Sequence, residues 1–426
     1  MLMLAIFLAL VAMICINVPI AVALALAGVM GLLATEGAGS LVTIALDMYD
    51  GSTKFSLIAI PMFVLAGAIM NAGGVTDRLI NFVSALIGFI RGGLAMVNIG
   101  VSLFFAEISG SAVADVAAMG SILIPQMKKR GYSKELAASV TSSSASLAII
   151  IPPSIPMILY AASANTSVEQ LFVAGVVPGL LGALGLMFVA YVFARRYNLP
   201  TEDAFNIPRL RETFMEALPA FSLPVIILGG IFGGFVTATE AAGLAVIAAI
   251  AVSIWYRQID LEHLRRAMLD GGMQTAVVML LVAASVLMGG FLTRAQIPQQ
   301  LAQGILNITD QQWMILLILN FFFLVVGFFL HSAAAIILVV PIVIPLITAA
   351  GIDPVHFGLV VTLNLAIGQQ TPPVASVLIT SCAVARANIW EVSKVNVWFV
   401  MVLLAVLLLC TYVPSVPLFL VEYFYR

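Results

Sequence analysis

Residues 148–156 read Ala148-Ile149-Ile150-Ile151-Pro152-Pro153-Ser154-Ile155-Pro156, in the middle of a long apolar run. Proline has no backbone N–H and its ring clashes with the carbonyl four residues back, so two in succession break a helix. The residue before a proline is also pushed out of the α region. In hydrocarbon a broken helix bares costly peptide groups, and it is tolerated only where that backbone is buried in protein or lines a wet cavity. A Pro-Pro-Ser break at mid-membrane therefore reads as a site. The same device recurs at Gln369-Gln370-Thr371-Pro372-Pro373-Val374. Pro152 and Pro372, Pro125 and Pro345, and Gly131 and Gly351 are each 220 residues apart. Ser133 and Asp353, both good helix N-caps, keep that spacing too. The chain reads as a duplication, residues 1–210 and 211–426, with a broken helix in each half, 133–165 and 354–384. Paired, proline-interrupted apolar segments at matching positions point to a secondary transporter's binding site.

Composition sets the solvent. Of 426 residues 62% are hydrophobic and 9% charged, with a mean hydropathy of +1.16. A soluble domain carries about 25% charged residues, so the expectation is an all-α, multi-pass inner-membrane protein. The apolar start, 1–10, lacks the basic region of a cleaved signal peptide and reads as a retained first helix. Cys15, Cys382 and Cys410 lie isolated in apolar segments without metal-ligand spacing and read as small buried hydrophobes.

Apolar runs of spanning length cover 2–34 (interrupted at Pro19), 55–71, 92–108 and 168–194 in the first half. In the second half they cover 218–236, 238–256, 272–293, 313–330 and 395–421. Hairpin-like stretches precede the broken helices at about 109–127 and 331–349, and 76–90 and 296–309 look interfacial. Basic residues gather at 128–134, 195–211, 257–266 and 386–394, loops that the positive-inside rule places in the cytoplasm. Between 266 and 386 the runs give three crossings, the wrong parity, which points to a merged or missed crossing near 296–330.

Polar islands sit beside the breaks. Glu107-Ile108-Ser109-Gly110-Ser111 allows a tight turn, and Asp115 brings a carboxylate to apolar depth, where carboxylates are expensive and mark ion or substrate paths. The alternative is a capped helix start in water. Thr141-Ser142-Ser143-Ser144-Ala145-Ser146 sets hydroxyls around a helix, for a ligand or for helix packing. Gln369, Gln370 and Thr371 offer amides and a hydroxyl beside freed backbone, suited to a ligand or to Na⁺. His331 is either a proton-linked group or an interfacial histidine; His263 and His356 read as solvated loop residues, and Glu240 as a helix-start brace. There is no GxxxxGK[ST] phosphate loop, no HExxH and no CxxC, and nothing suggests nucleic-acid binding or an enzyme.

With ISGSAVAD (108–115), IPPSIP (151–156), GGIFGGFVTATEAA (229–242) and GQQTPPVAS (368–376), the chain resembles the large membrane subunit of a TRAP (tripartite ATP-independent periplasmic) transporter, over essentially its whole length. The resemblance implies an inverted-repeat, elevator-type importer with two re-entrant hairpins and two broken helices as transport unit and the other spans as scaffold. It implies Na⁺ coupling with no other cofactor, and an organic acid anion such as a C4-dicarboxylate, sialic acid or another sugar acid. The partners implied are a separate small four-helix membrane subunit and a periplasmic binding protein. Carried over by position, the substrate would meet Ser109, Ser111, Asp115, Ser154 and Gln370. Na⁺ would meet Ser109, Gly110, Pro152, Ser154, His331, Gln369, Thr371 and Pro372. The family usually has an acidic residue where His331 stands and an apolar pair where Gln369-Gln370 stand. A stand-alone ion-coupled dicarboxylate symporter or antiporter is the alternative.

Overall fold

A computed structural model describes every residue except Met1, Asn17, Asp203 and Arg426. At residues 2–4, 11, 15, 41, 43 and 107–109 it describes the backbone alone, so the readings of Cys15 and of the Glu107 and Ser109 side chains lie outside it. The elements among the described residues are all helices, with no strand. Seven helices are long and apolar enough to cross a membrane, eight if the bent pair Ile207–Ala217 and Ser222–Phe232 counts as one span.

The helix series repeats. Ala112–Lys129 and Ser332–Ala349 begin and end 220 residues apart, and Lys134 and Pro354 open the two broken helices at the same spacing. Ile155–Ala164 and Ser376–Ala385 follow the two breaks, and Val168–Arg196 and Ile389–Tyr412 follow those. Local chemistry sets the starts: the Ser133 hydroxyl accepts from Leu136 N, and the Asp353 carboxylate from Val355 N and His356 N. These satisfy amide donors that a helix start leaves orphaned. Thr237 and Glu240 form a reciprocal capping box at the start of Ala238–Trp255, the bracing role expected of Glu240. One element differs between the series. Leu41–Ser52 and Ala59–Ala72 are separate helices, whereas their counterpart is the unbroken Leu261–Arg294.

Several sequence-based boundaries move. The first apolar run is two helices, Leu2–Cys15 and Ile20–Glu36, because Pro19 starts the second. The boundary drawn at 210/211 falls inside the connecting helix Ile207–Ala217. The last span ends at Tyr412, followed by Ser415–Tyr425. The largest change concerns the hairpins. Each is built from a helix taken for a span plus the stretch after it: Gly93–Ser109 with Ala112–Lys129, and Gln312–Phe329 with Ser332–Ala349. At the feet of the second, Gln312 Nε2 donates to the Ala350 carbonyl at 2.8 Å, so the chain enters and leaves at one end. A pair that enters and leaves at one end contributes an even number of crossings, so the count between 266 and 386 becomes even. His356, expected in solvent, is buried, with Nε2 2.8 Å from the Cys410 carbonyl oxygen. Cys382 and Cys410 are free and buried, as read.

Packing exchanges elements between the series. Ile20–Glu36 lies on Leu261–Arg294, and the equivalent Ala238–Trp255 lies on Ala59–Ala72. Likewise Ser332–Ala349 packs against Ile155–Ala164, and Ala112–Lys129 against Ser376–Ala385. The two hairpins and two broken helices thus interlock, with the breaks inside.

Candidate functional site

Each hairpin tip docks on the break of its own half. Helix Gly93–Ser109 ends at Gly110, whose φ of +58° suits glycine, and Ser111 is extended before the next helix begins. A Cβ added to Gly110 would lie 3.0 Å from the Pro153 carbonyl oxygen and 3.3 Å from Ile155 N, so tip and break are in backbone contact. In the second half Leu330 and His331 are extended, and the Phe328 carbonyl accepts from Val374 N at 3.3 Å. Gly327 abuts Gly368, where an added Cβ would stand 2.6 Å from the Gly327 backbone.

The breaks are braced from within. Both Pro-Pro bonds are cis. Ser154 donates to the Ile149 carbonyl at 2.7 Å and accepts from Met157 N at 3.4 Å, closing the first break. In the second, Gln369 Nε2 donates to the Leu365 carbonyl at 3.3 Å and its Oε1 accepts from Ser376 at 3.2 Å. Thr371 donates to the Ile367 carbonyl at 3.1 Å. Gln370 faces the protein interior, toward Ser143 and Asn396.

Between these parts lies a cavity of about 390 Å³. Gly110 and Ser111 from one tip and His331 and Ser332 from the other line it, with Ile155 beyond the first break and Gln369 at the second. Leu261–Arg294 closes the far wall with Gln274 and Val277. Four of the residues carried over by position thus meet in one cavity: Gly110, Ser111, His331 and Gln369. Asp115, Pro152, Ser154, Gln370, Thr371 and Pro372 are not among the lining residues. Asp115 is fully buried within the first turn after the Ser111 tip, and the Ser154 hydroxyl is engaged in closing its break. Gln274 was missed by sequence reasoning, although a lone amide in the apolar run 272–293 is a usable signal.

The cavity has no lysine, arginine, aspartate or glutamate among its described lining residues. Its field comes from backbone. Helices begin at Ala112, Ile155 and Ser332, all on the wall. Helix N-termini carry partial positive charge and free N–H groups, which favour an anion. Such a wall suits an anion.

The family model described as "Tripartite ATP-independent periplasmic transporter, DctM component" matches residues 7–416. The C4-dicarboxylate TRAP transporter large permease protein DctM of Pseudomonas aeruginosa is 39% identical, over 88% of this chain and 88% of that one. The isethionate TRAP transporter permease protein DctMQ of Oleidesulfovibrio alaskensis is 37% identical, over 95% of this chain and 64% of that longer protein. The crystal structure of the Alcanivorax borkumensis YdaH transporter superposes with a TM-score of 0.66 at 13% identity, covering 89% of each chain, a likeness of fold alone. A family match over nearly the whole chain, together with relatives of this identity and coverage, identifies the protein as a member of the DctM family, the large permease subunits of TRAP transporters.

Proposed function

We propose that this permease imports an organic acid anion together with Na⁺ through the cavity shared by the two hairpin tips and the two breaks. That shared cavity is the observation that carries the proposal. Helix N-termini favour the anion, and carbonyl and hydroxyl oxygens near the breaks replace the hydration shell of Na⁺. Each bound charge favours the other, and the coupling is reciprocal. The hairpins and broken helices form the transport unit and move against the remaining spans. Gln274 and Val277 belong to the scaffold wall. With the basic loops in the cytoplasm, the feet of the first hairpin are cytoplasmic and those of the second periplasmic, which makes the repeats inverted and the hairpins re-entrant in an inner membrane. A small membrane subunit completes the scaffold, and a periplasmic binding protein delivers the acid.

The test is uptake in proteoliposomes holding the chain and its small subunit, with the binding protein outside and a panel of succinate, isethionate, 2,3-diketogulonate and sialic acid. Saturable uptake of one acid that rises with an inward Na⁺ gradient is expected. Uptake indifferent to Na⁺ for every acid overturns the coupling. Equal uptake without the binding protein assigns the chain instead to stand-alone carriers.

A further inference from the structure

One buried polar cluster joins the two halves. Ser143 on the first broken helix faces Gln370 Oε1 at 2.8 Å and Asn396 Oδ1 at 2.9 Å. Asn396 Nδ2 donates to the Gln370 main-chain carbonyl at 3.3 Å. All three residues are at most 1% exposed. The positions 220 residues away are Leu363, Ile150 and Val176, whose apolar side chains form no such ring. The duplicated fold therefore carries this polar contact once, across the halves, from the helix before one break into the other break.

Ser143 has a single hydroxyl proton and faces two amide oxygens, so it cannot donate to both at once. Turning the Gln370 amide over resolves this. Its N–H then reaches Ser143, the Ser143 proton goes to Asn396, and Asn396 donates to the Gln370 carbonyl. That orientation gives Gln370 Nε2, which otherwise has no partner although it is buried, the Ser143 hydroxyl, and gives up the 3.4 Å bond from Asn396 Nδ2 to the Gln370 side chain in favour of the one to its main-chain carbonyl. Neighbouring Gln369 lines the cavity. The two glutamines face opposite ways from one turn, so what anchors Gln370 in the core also holds Gln369 in the cavity wall.

We propose that Ser143 and Asn396 are positioning residues: through Gln370 they let the first broken helix fix the second break, and with it the affinity of the cavity for its anion. The ligand side of this rests on the transport proposal above. The test uses Ser143→Ala, which removes one oxygen, with Ser139→Ala as comparison. Ser139 is also fully buried, lies one turn earlier on the same helix and donates to the Val392 carbonyl at 3.2 Å, and it does not touch the break. Two readouts are taken on the full chain with its small subunit: hydrogen exchange across 369–377, and half-saturation against maximal rate for the acid the panel identifies. Losing one buried hydrogen bond opens the segment about tenfold more often. Ser143→Ala is expected to speed exchange there by about that factor and to raise half-saturation while the maximal rate holds; Ser139→Ala does neither. Like behaviour of the two variants, or unchanged exchange in Ser143→Ala, overturns the proposal. If no acid is transported by the unmodified protein, the transport proposal fails by itself and the exchange comparison still decides the positioning role.

Discussion

Gly368→Ala probes the docking of the second hairpin on the second break. The new methyl carbon would stand 2.6 Å from both Cα and the carbonyl carbon of Gly327 and 3.0 Å from its oxygen. Comfortable carbon–carbon contact begins near about 3.5 Å, so two backbones must part by roughly 1 Å, and no flexible side chain absorbs the strain. Overpacking of this kind costs about 1–3 kcal/mol, offset by less than about 1 kcal/mol of helix propensity at a helix end. The same displacement pulls Phe328 from Val374, whose hydrogen bond at 3.3 Å has little to spare. Gly327→Ala is gentler, since its methyl meets Gly368 Cα at 3.1 Å and Leu365 at 3.4 Å. Gly289→Ala points into open space. Thermal unfolding of the purified chain in detergent should rank Gly289→Ala at or above the unmodified protein, then Gly327→Ala, then Gly368→Ala, and Na⁺-driven uptake should fall in that order. A Gly368→Ala protein that melts and transports normally refutes the glycine-to-glycine docking.

Three further outcomes follow from the geometry. Ser111→Ala is expected to lower Na⁺-driven uptake at least about tenfold with expression intact, as loss of one ligating group implies; Thr371→Ala, whose hydroxyl is turned back to Ile367, should cost much less. Gln274→Leu makes the scaffold wall wholly apolar along that stretch and should change relative uptake across the acid panel while Na⁺ dependence persists, which competition assays measure. Asn320→Ala removes the partner that accepts from Asn364 at 2.7 Å and donates to Thr411 at 3.1 Å. It should destabilise the chain by about 1–2 kcal/mol, seen as a lower unfolding temperature without altered selectivity.

What was legible in the sequence was local chemistry. Prolines and caps act within a few residues, so Pro152-Pro153, Pro372-Pro373, Ser133 and Asp353 located both broken helices and their 220-residue spacing. The partners of the hairpin-like stretches 109–127 and 331–349 were harder to see, because Gly93–Ser109 and Gln312–Phe329 are apolar and long, and only contacts at feet and tips pair them with the helices that follow. Gly110 gave a hint, since glycine suits a left-handed turn, but Leu330-His331 makes its tip from ordinary extended residues. Side-chain direction was the other gap. Gln369 and Gln370 are indistinguishable by type, yet one faces the cavity and one the core, a choice made by Ser143 and Asn396 from distant parts of the chain. Ser154, read as a ligand, spends its hydroxyl on Ile149 because a broken helix must satisfy its own carbonyls first.

Paired equilibrium binding is the most direct measurement: the Kd of the identified acid with and without saturating Na⁺, and the Kd of Na⁺ with and without saturating acid, on the purified chain with its small subunit. One cavity holding both charges predicts that each ligand tightens the other by the same factor, and that Ser111→Ala weakens both. Acid binding that is identical in the presence and absence of Na⁺ would contradict a shared site.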